Sequence, residues 1–87
     1  MRSKVTVLIR LKEGILDPQG KAIEESLPAL GYGGVESVKV GKVIEMIAEG
    51  ADAAEIESRV RAMCDALLAN PVIEDYEVEL TAAREGG

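Results

Sequence analysis

The strongest constraint on this chain is a strict alternation close to its N-terminus. Over residues 4–12, Val5, Val7, Ile9 and Leu11 fall on one side, and Thr6, Leu8, Arg10 and Lys12 on the other. Period two over this length specifies a strand with one buried face. A lone strand cannot bury that face, so the rest of the 87-residue chain must supply neighbours and a cover. The length allows one domain. A chain of this size buries only roughly 60–65% of its unfolded surface, so its single core is small or is completed by a partner.

Two helices are expected. Asp17-Pro18-Gln19-Gly20 opens the first: Asp accepts the free N–H groups of a first turn and Pro suits the first helical position. Ala22, Ile23, Leu27 and Leu30 are spaced to bury one side of it, Pro28 loosens its last turn, and Gly31-Tyr32-Gly33-Gly34 ends it. Asp52 with Glu55 begins the second. Its apolar stripe is Ile56, Val60, Met63 and Leu67 with Cys64 alongside, and Asn70-Pro71 stops it.

Residues 35–48 read either as a hairpin turning at Gly41-Lys42 or as one long strand. A hairpin would place Val38 opposite Glu45 and break the apolar face. A continuous strand, bulged at Gly41, keeps Val38, Val40, Ile44, Met46 and Ala48 together, interrupted only by Lys42. At ~3.3 Å per residue such a strand spans roughly 45 Å, more than a small domain can pair. The excess is expected to pair with a second copy. A final strand over 72–80 buries Val72, Tyr76, Val78 and Leu80 and exposes Asp75, Glu77 and Glu79. The expected fold is α+β, a two-layer sandwich in the order β-α-β-α-β, with the long strand central in that order. The helices lie on one face of a sheet that dimerisation extends or covers. The domain spans 1–80, and 81–87 reads as a flexible tail.

Composition removes many functions. With no histidine, the commonest general base and metal ligand is missing, and Cys-His or Ser-His nucleophilic pairs cannot form. One thiol, Cys64, beside the apolar stripe, reads as inert core and cannot build a zinc site or an internal disulfide. A net charge of −6, no Phe, no Trp and two Tyr argue against nucleic acid. The apolar run at Val5–Ile9 is too short to cross a membrane or to serve as a signal segment, so the expected location is cytoplasmic. The charge is uneven: residues 1–43 carry +2 and residues 44–87 carry −8. The acidic row Glu74-Asp75-Tyr76-Glu77-Val78-Glu79 is then a solvated edge or an electrostatic docking surface. No active site is expected on this chain.

Three segments carry a family likeness: Leu11-Lys12-Glu13-Gly14-Ile15-Leu16-Asp17-Pro18-Gln19-Gly20, Val38-Lys39-Val40-Gly41-Lys42-Val43-Ile44-Glu45-Met46, and Met63-Cys64-Asp65-Ala66-Leu67-Leu68-Ala69-Asn70-Pro71-Val72-Ile73-Glu74-Asp75-Tyr76. Together, over about residues 4–80, they resemble the PurS family, small subunits of phosphoribosylformylglycinamidine synthase in purine biosynthesis. The resemblance implies a non-catalytic dimer, or dimer of dimers, that bridges a large synthetase subunit and a glutaminase subunit and supports ammonia transfer between them. It implies no cofactor here, ATP and Mg²⁺ being used by the synthetase subunit. Subunit contacts are expected around Asp17, Gln19, Gly20 and Lys42. The main alternative is a regulatory small-ligand module of the ACT kind. An acylphosphatase-like enzyme fits poorly, because Arg10 lies in mid-strand and Asn70 is a helix stop.

Overall fold

The computed structural model describes residues 1–82. Three antiparallel strands form one sheet in the order β2-β1-β3: β1 is Arg2–Leu11, β2 Lys42–Glu49 and β3 Glu74–Ala82. The alternating strand is therefore the middle one. It pairs on one edge from Arg2↔Glu49 to Ile9↔Lys42, and on the other from Ser3↔Ala82 to Leu11↔Glu74. Val5, Val7 and Ile9 are buried on one face, as their spacing predicts, while Leu11 at the strand's end is only half-buried.

The cover for that face is α2, Ala53–Met63. Asp52 caps it, accepting the Glu55 N–H at 2.8 Å. Ile56, Val60 and Cys64, four residues apart, are buried against β1 and close the core together with Ala69. One turn of π-helix, Cys64–Leu68, follows, with the Ala69 N–H reaching back five residues to the Cys64 carbonyl at 2.9 Å. The extra residue in that turn shifts the phase of the stripe. Leu68 packs on the core, and Leu67, expected inside, is 83% exposed.

The middle of the chain departs from expectation. The hairpin is absent, but so is the long strand: sheet pairing ends at Lys42, and residues 35–41 pair with no strand among the described residues. Ser37, with φ +58°, also interrupts the extended run. At Gly41 the chain passes so close to β1 that a Cβ there would lie 2.6 Å from the Ile9 carbonyl oxygen. Parity within β2 is as expected, with Lys42 on the face of Ile44, Met46 and Ala48.

The first helix, α1, spans Pro18–Ser26 and leads into a 3-10 turn at Pro28–Leu30, where the proline starts a new turn instead of breaking an old one. Gly31, at φ +94°, closes that turn. The apolar side of this unit is not buried as its spacing predicts. Leu30 is 71% exposed and Ile23 is open as well; Gly20 alone of α1 is buried. The reason is placement: Gly20 packs on the 38–41 backbone, not on the sheet. A Cβ at Gly20 would lie 2.1 Å from the Val38 carbonyl oxygen, so only glycine permits this approach. The chain is consequently elongated, 51 × 32 × 16 Å, with a radius of gyration of 16.8 Å. A compact chain of this length would have roughly 12 Å.

The last strand also shifts. Residues 70–73 are a turn, in which the Asn70 side chain accepts the Val72 N–H at 3.0 Å and leaves Val72 exposed. At its far end β3 continues past the expected boundary, because Thr81 and Ala82 pair with Lys4 and Ser3. The remainder of the expected tail, 83–87, lies outside the described residues.

Two substitutions test this packing. Ile56→Ala should cost about 2–5 kcal/mol, read as a lower urea midpoint at fixed protein concentration. Gly20→Ala should cost about 1–3 kcal/mol through overpacking. Gly33→Ala, where a Cβ meets open space, should leave the midpoint unchanged.

Candidate assembly surfaces

Asp17 is the most heavily engaged of the residues singled out from the sequence. One carboxylate oxygen accepts the Gln19 N–H at 3.0 Å and caps α1; the other accepts the Val40 N–H at 2.6 Å. The Val40 hydrogen bond is the chief reason its carboxyl lies below the ordinary 3.8; burial opposes that, and the Gly20 and Gln19 amides and the Lys39 charge add to it. Two turns further along α1, Glu24 accepts the Val38 N–H at 3.1 Å. Asp17 and Gly20 thus have roles inside the chain, joining α1 to residues 38–40. Gln19 is exposed and uses only its backbone there.

Lys42 lies at the end of the core face of β2, opposite Ile9. Its ammonium is 3.8 Å from the Glu74 carboxylate on β3, so the pair spans β1. The other Glu74 oxygen accepts the Asn70 N–H at 2.7 Å, linking the pair to the 70–73 turn. The Lys42 side chain is 60% exposed and that of Glu74 only 14%. Lys42 therefore keeps most of its surface available while holding two edge strands together. An open groove of about 510 Å³ is lined by the end of β1 and by residues 39–43, with Arg10, Lys39 and Lys42 around it. The structure brings Asp17, Gly20 and Lys42 to the same end of the sheet through the short segment 38–42.

The acidic row, expected as a solvated edge or a docking surface, is partly engaged in ion pairs. Asp75 pairs with Lys12, and Glu77 with Arg10 at 3.1 Å. On the other edge Glu45 pairs with Lys4 at 3.3 Å and Glu49 with Arg2 at 3.6 Å. The uneven charge along the sequence is thus partly offset across strands, a basic middle strand between two acidic ones. Each such exposed pair stabilises by about 0–1 kcal/mol, so together they favour one register more than they favour folding.

Among the described residues no constellation for chemistry emerges. Among the described residues no three potential ligands cluster to hold a metal ion, and no helix is long and apolar enough to cross a membrane. Cys64 is buried; burial, aided by the Asp65 charge, pushes its thiol up and away from the reactive thiolate. Burial likewise raises the phenol of Tyr76, helped by its hydrogen bond to Asp65 at 3.1 Å. The Arg61 guanidinium sits 5.8 Å from the same ring. This cluster pins the π turn to β3.

What the arrangement offers is surface for assembly. The unit formed by α1 and the residues after it exposes Leu16, Ile23, Leu30, Tyr32 and Val35. On the sheet face away from α2, Val43 and Ile47 are exposed too. The sequence pattern marked these residues as apolar, but only the structure shows which of them the chain itself leaves open.

Comparison with known proteins gives this surface a context. A sequence model of the PurS family, described as phosphoribosylformylglycinamidine (FGAM) synthase, matches residues 4–82. The PurS subunit of phosphoribosylformylglycinamidine synthase from Methanocaldococcus jannaschii is 44% identical over 77 residues, covering 88% of this chain and 93% of the relative. The Bacillus subtilis PurS subunit is also 44% identical over 77 residues, covering 88% and 90%. Among solved structures, M. jannaschii PurS superposes with a TM-score of 0.83 at 40% identity, covering 94% of this chain and 99% of that one. A chain of the PurLQS structure from Thermotoga maritima gives 0.84 at 28% identity, covering 93% and 99%. The chain belongs to the PurS family of phosphoribosylformylglycinamidine synthase subunits.

Proposed function

We propose that this chain is the non-catalytic assembly subunit of a phosphoribosylformylglycinamidine synthase. As a dimer or dimer of dimers it bridges a large synthetase subunit and a glutaminase subunit in the cytoplasm. The observation that carries the reading is a core covered by one helix only, beside an arm whose apolar side chains lie open. A second copy supplies the missing cover, and the unpaired 35–41 segment, continuous with β2, is the place for it. A PurS chain in the PurLQS structure of T. maritima shares this fold, which supports a complex with synthetase and glutaminase partners.

In such a complex the chain contributes shape. It holds two active sites at a fixed separation and walls off solvent, so that ammonia released at one reaches the other without loss or protonation. ATP and Mg²⁺ belong to the synthetase subunit, and this chain carries no cofactor. The family membership over 4–82 displaces the ACT-like alternative. Asp17, Gln19, Gly20 and Lys42 mark the contact region: Gln19 and Lys42 through exposed side chains, Asp17 and Gly20 by fixing the backbone beside them.

Two measurements check this. Mixed with the synthetase and glutaminase subunits, the chain should be required for glutamine-dependent formation of the amidine, and full turnover without it would remove the bridging role. Lys42→Ala leaves Glu74 its Asn70 N–H and should stay folded. It should nevertheless weaken complex formation roughly tenfold, while Lys42→Glu, facing Glu74 with a like charge, weakens it further. Unchanged affinity in both variants removes Lys42 from the contact.

A further inference from the structure

Residues 38–40 lead into β2 without pairing to any strand among the described residues, which needs a cause. An isolated extended stretch of four residues has no cooperative support, and its amide groups are free to exchange with water. Here two amides on one edge are taken. Val38 and Val40, two residues apart, direct their N–H groups the same way, and α1 meets them with Glu24 and Asp17. Gly20 lies between these two carboxylates and has no side chain to hold the segment away. Two carboxylates of the helix thus meet two amides of the segment.

We propose that Asp17 and Glu24 form a latch that occupies one edge of residues 38–40 and holds them as a ready-made strand. The opposite edge, where the Lys39 N–H has no hydrogen-bond partner among the described residues, is the one left to receive a strand. The latch is a positioning device: it blocks one edge as a neighbouring strand would, and it directs pairing to the other. Its use in bringing subunits together rests on the assembly reading above.

The groups facing the latch are Lys21 on α1 and Glu36 and Lys39 on the segment, all around a shallow pocket of about 340 Å³. Lys39 favours the ionised Asp17, in the same direction as the Val40 hydrogen bond. Because the Asp17 carboxyl is depressed in the folded chain, its share of the latch is complete above the ordinary carboxylate value of 3.8 and is lost as pH falls below it.

The test is amide exchange and NMR on the full chain at neutral pH. Asp17→Asn keeps an acceptor for the Gln19 N–H but offers no second acceptor to Val40. Exchange of the Val40 amide should rise roughly 10–100-fold, the effect of losing a hydrogen bond to a charged group, while β1 amides stay within about twofold. Glu24→Ala should release the Val38 amide in the same manner. In the unaltered chain, which needs no variant to fold, the Val40 amide proton should move along a titration with its midpoint below 3.8. A Val40 amide that exchanges no faster in Asp17→Asn, or whose resonance stays flat through that range, overturns the latch. The mass of the unaltered chain in light scattering reports on the assembly reading separately, so failure of one is not mistaken for failure of the other.

Discussion

The packing of Val5, Val7 and Ile9 against Ile56, Val60 and Cys64 is the interaction on which everything else depends. Among the described residues β1 is the only strand with two neighbours, and Val5, Val7 and Ile9 on its apolar face are buried. The flanking strands contribute half-buried residues, Ile44 and Met46 on one side and Val78 and Leu80 on the other. Polar contacts then select among arrangements that this contact alone would permit. The cross-strand ion pairs fix register, the Asp52 cap fixes where α2 starts, and the Tyr76–Asp65 bond fixes where it ends.

A core this small accounts for the rest of the chain's character. Roughly a third of the residues, from Glu13 to Gly41, form an arm that contributes no buried apolar side chain to it. Their apolar groups are spaced like those of a helix that packs, yet inside one chain they pack on nothing of substance. Such a surface belongs to an assembly whose protomers complete one another. The absence of histidine from the sequence, the buried inert thiol and the paired carboxylates fit a protein whose contribution is geometry.

Features set by a few neighbouring residues were legible in the sequence. The alternation at Val5–Ile9 gave the buried face of β1, and Asp17 and Asp52 marked both helix starts. Three other features depend on where elements sit, and these were not. Leu67 points outward because a π turn shifts the stripe, a change of phase that spacing cannot announce. Ile23 and Leu30 lie open because α1 meets the 38–41 backbone instead of the sheet. The long strand stops at Lys42, although β1 runs on to Leu11, because the Val40 and Val38 amides before it turn to Asp17 and Glu24. The +2 and −8 halves also follow strand order, a basic strand set between acidic ones, which becomes visible only once the pairing is known.

One chain leaves much of its own apolar surface uncovered, so the protein is expected to exist as an oligomer. Sedimentation equilibrium of the purified protein at micromolar concentration tests it most directly. The predicted result is a mass of twice the 9.2 kDa chain, or a higher even multiple, that persists on dilution. A folded species at the mass of a single chain, with α1 ordered, would contradict it.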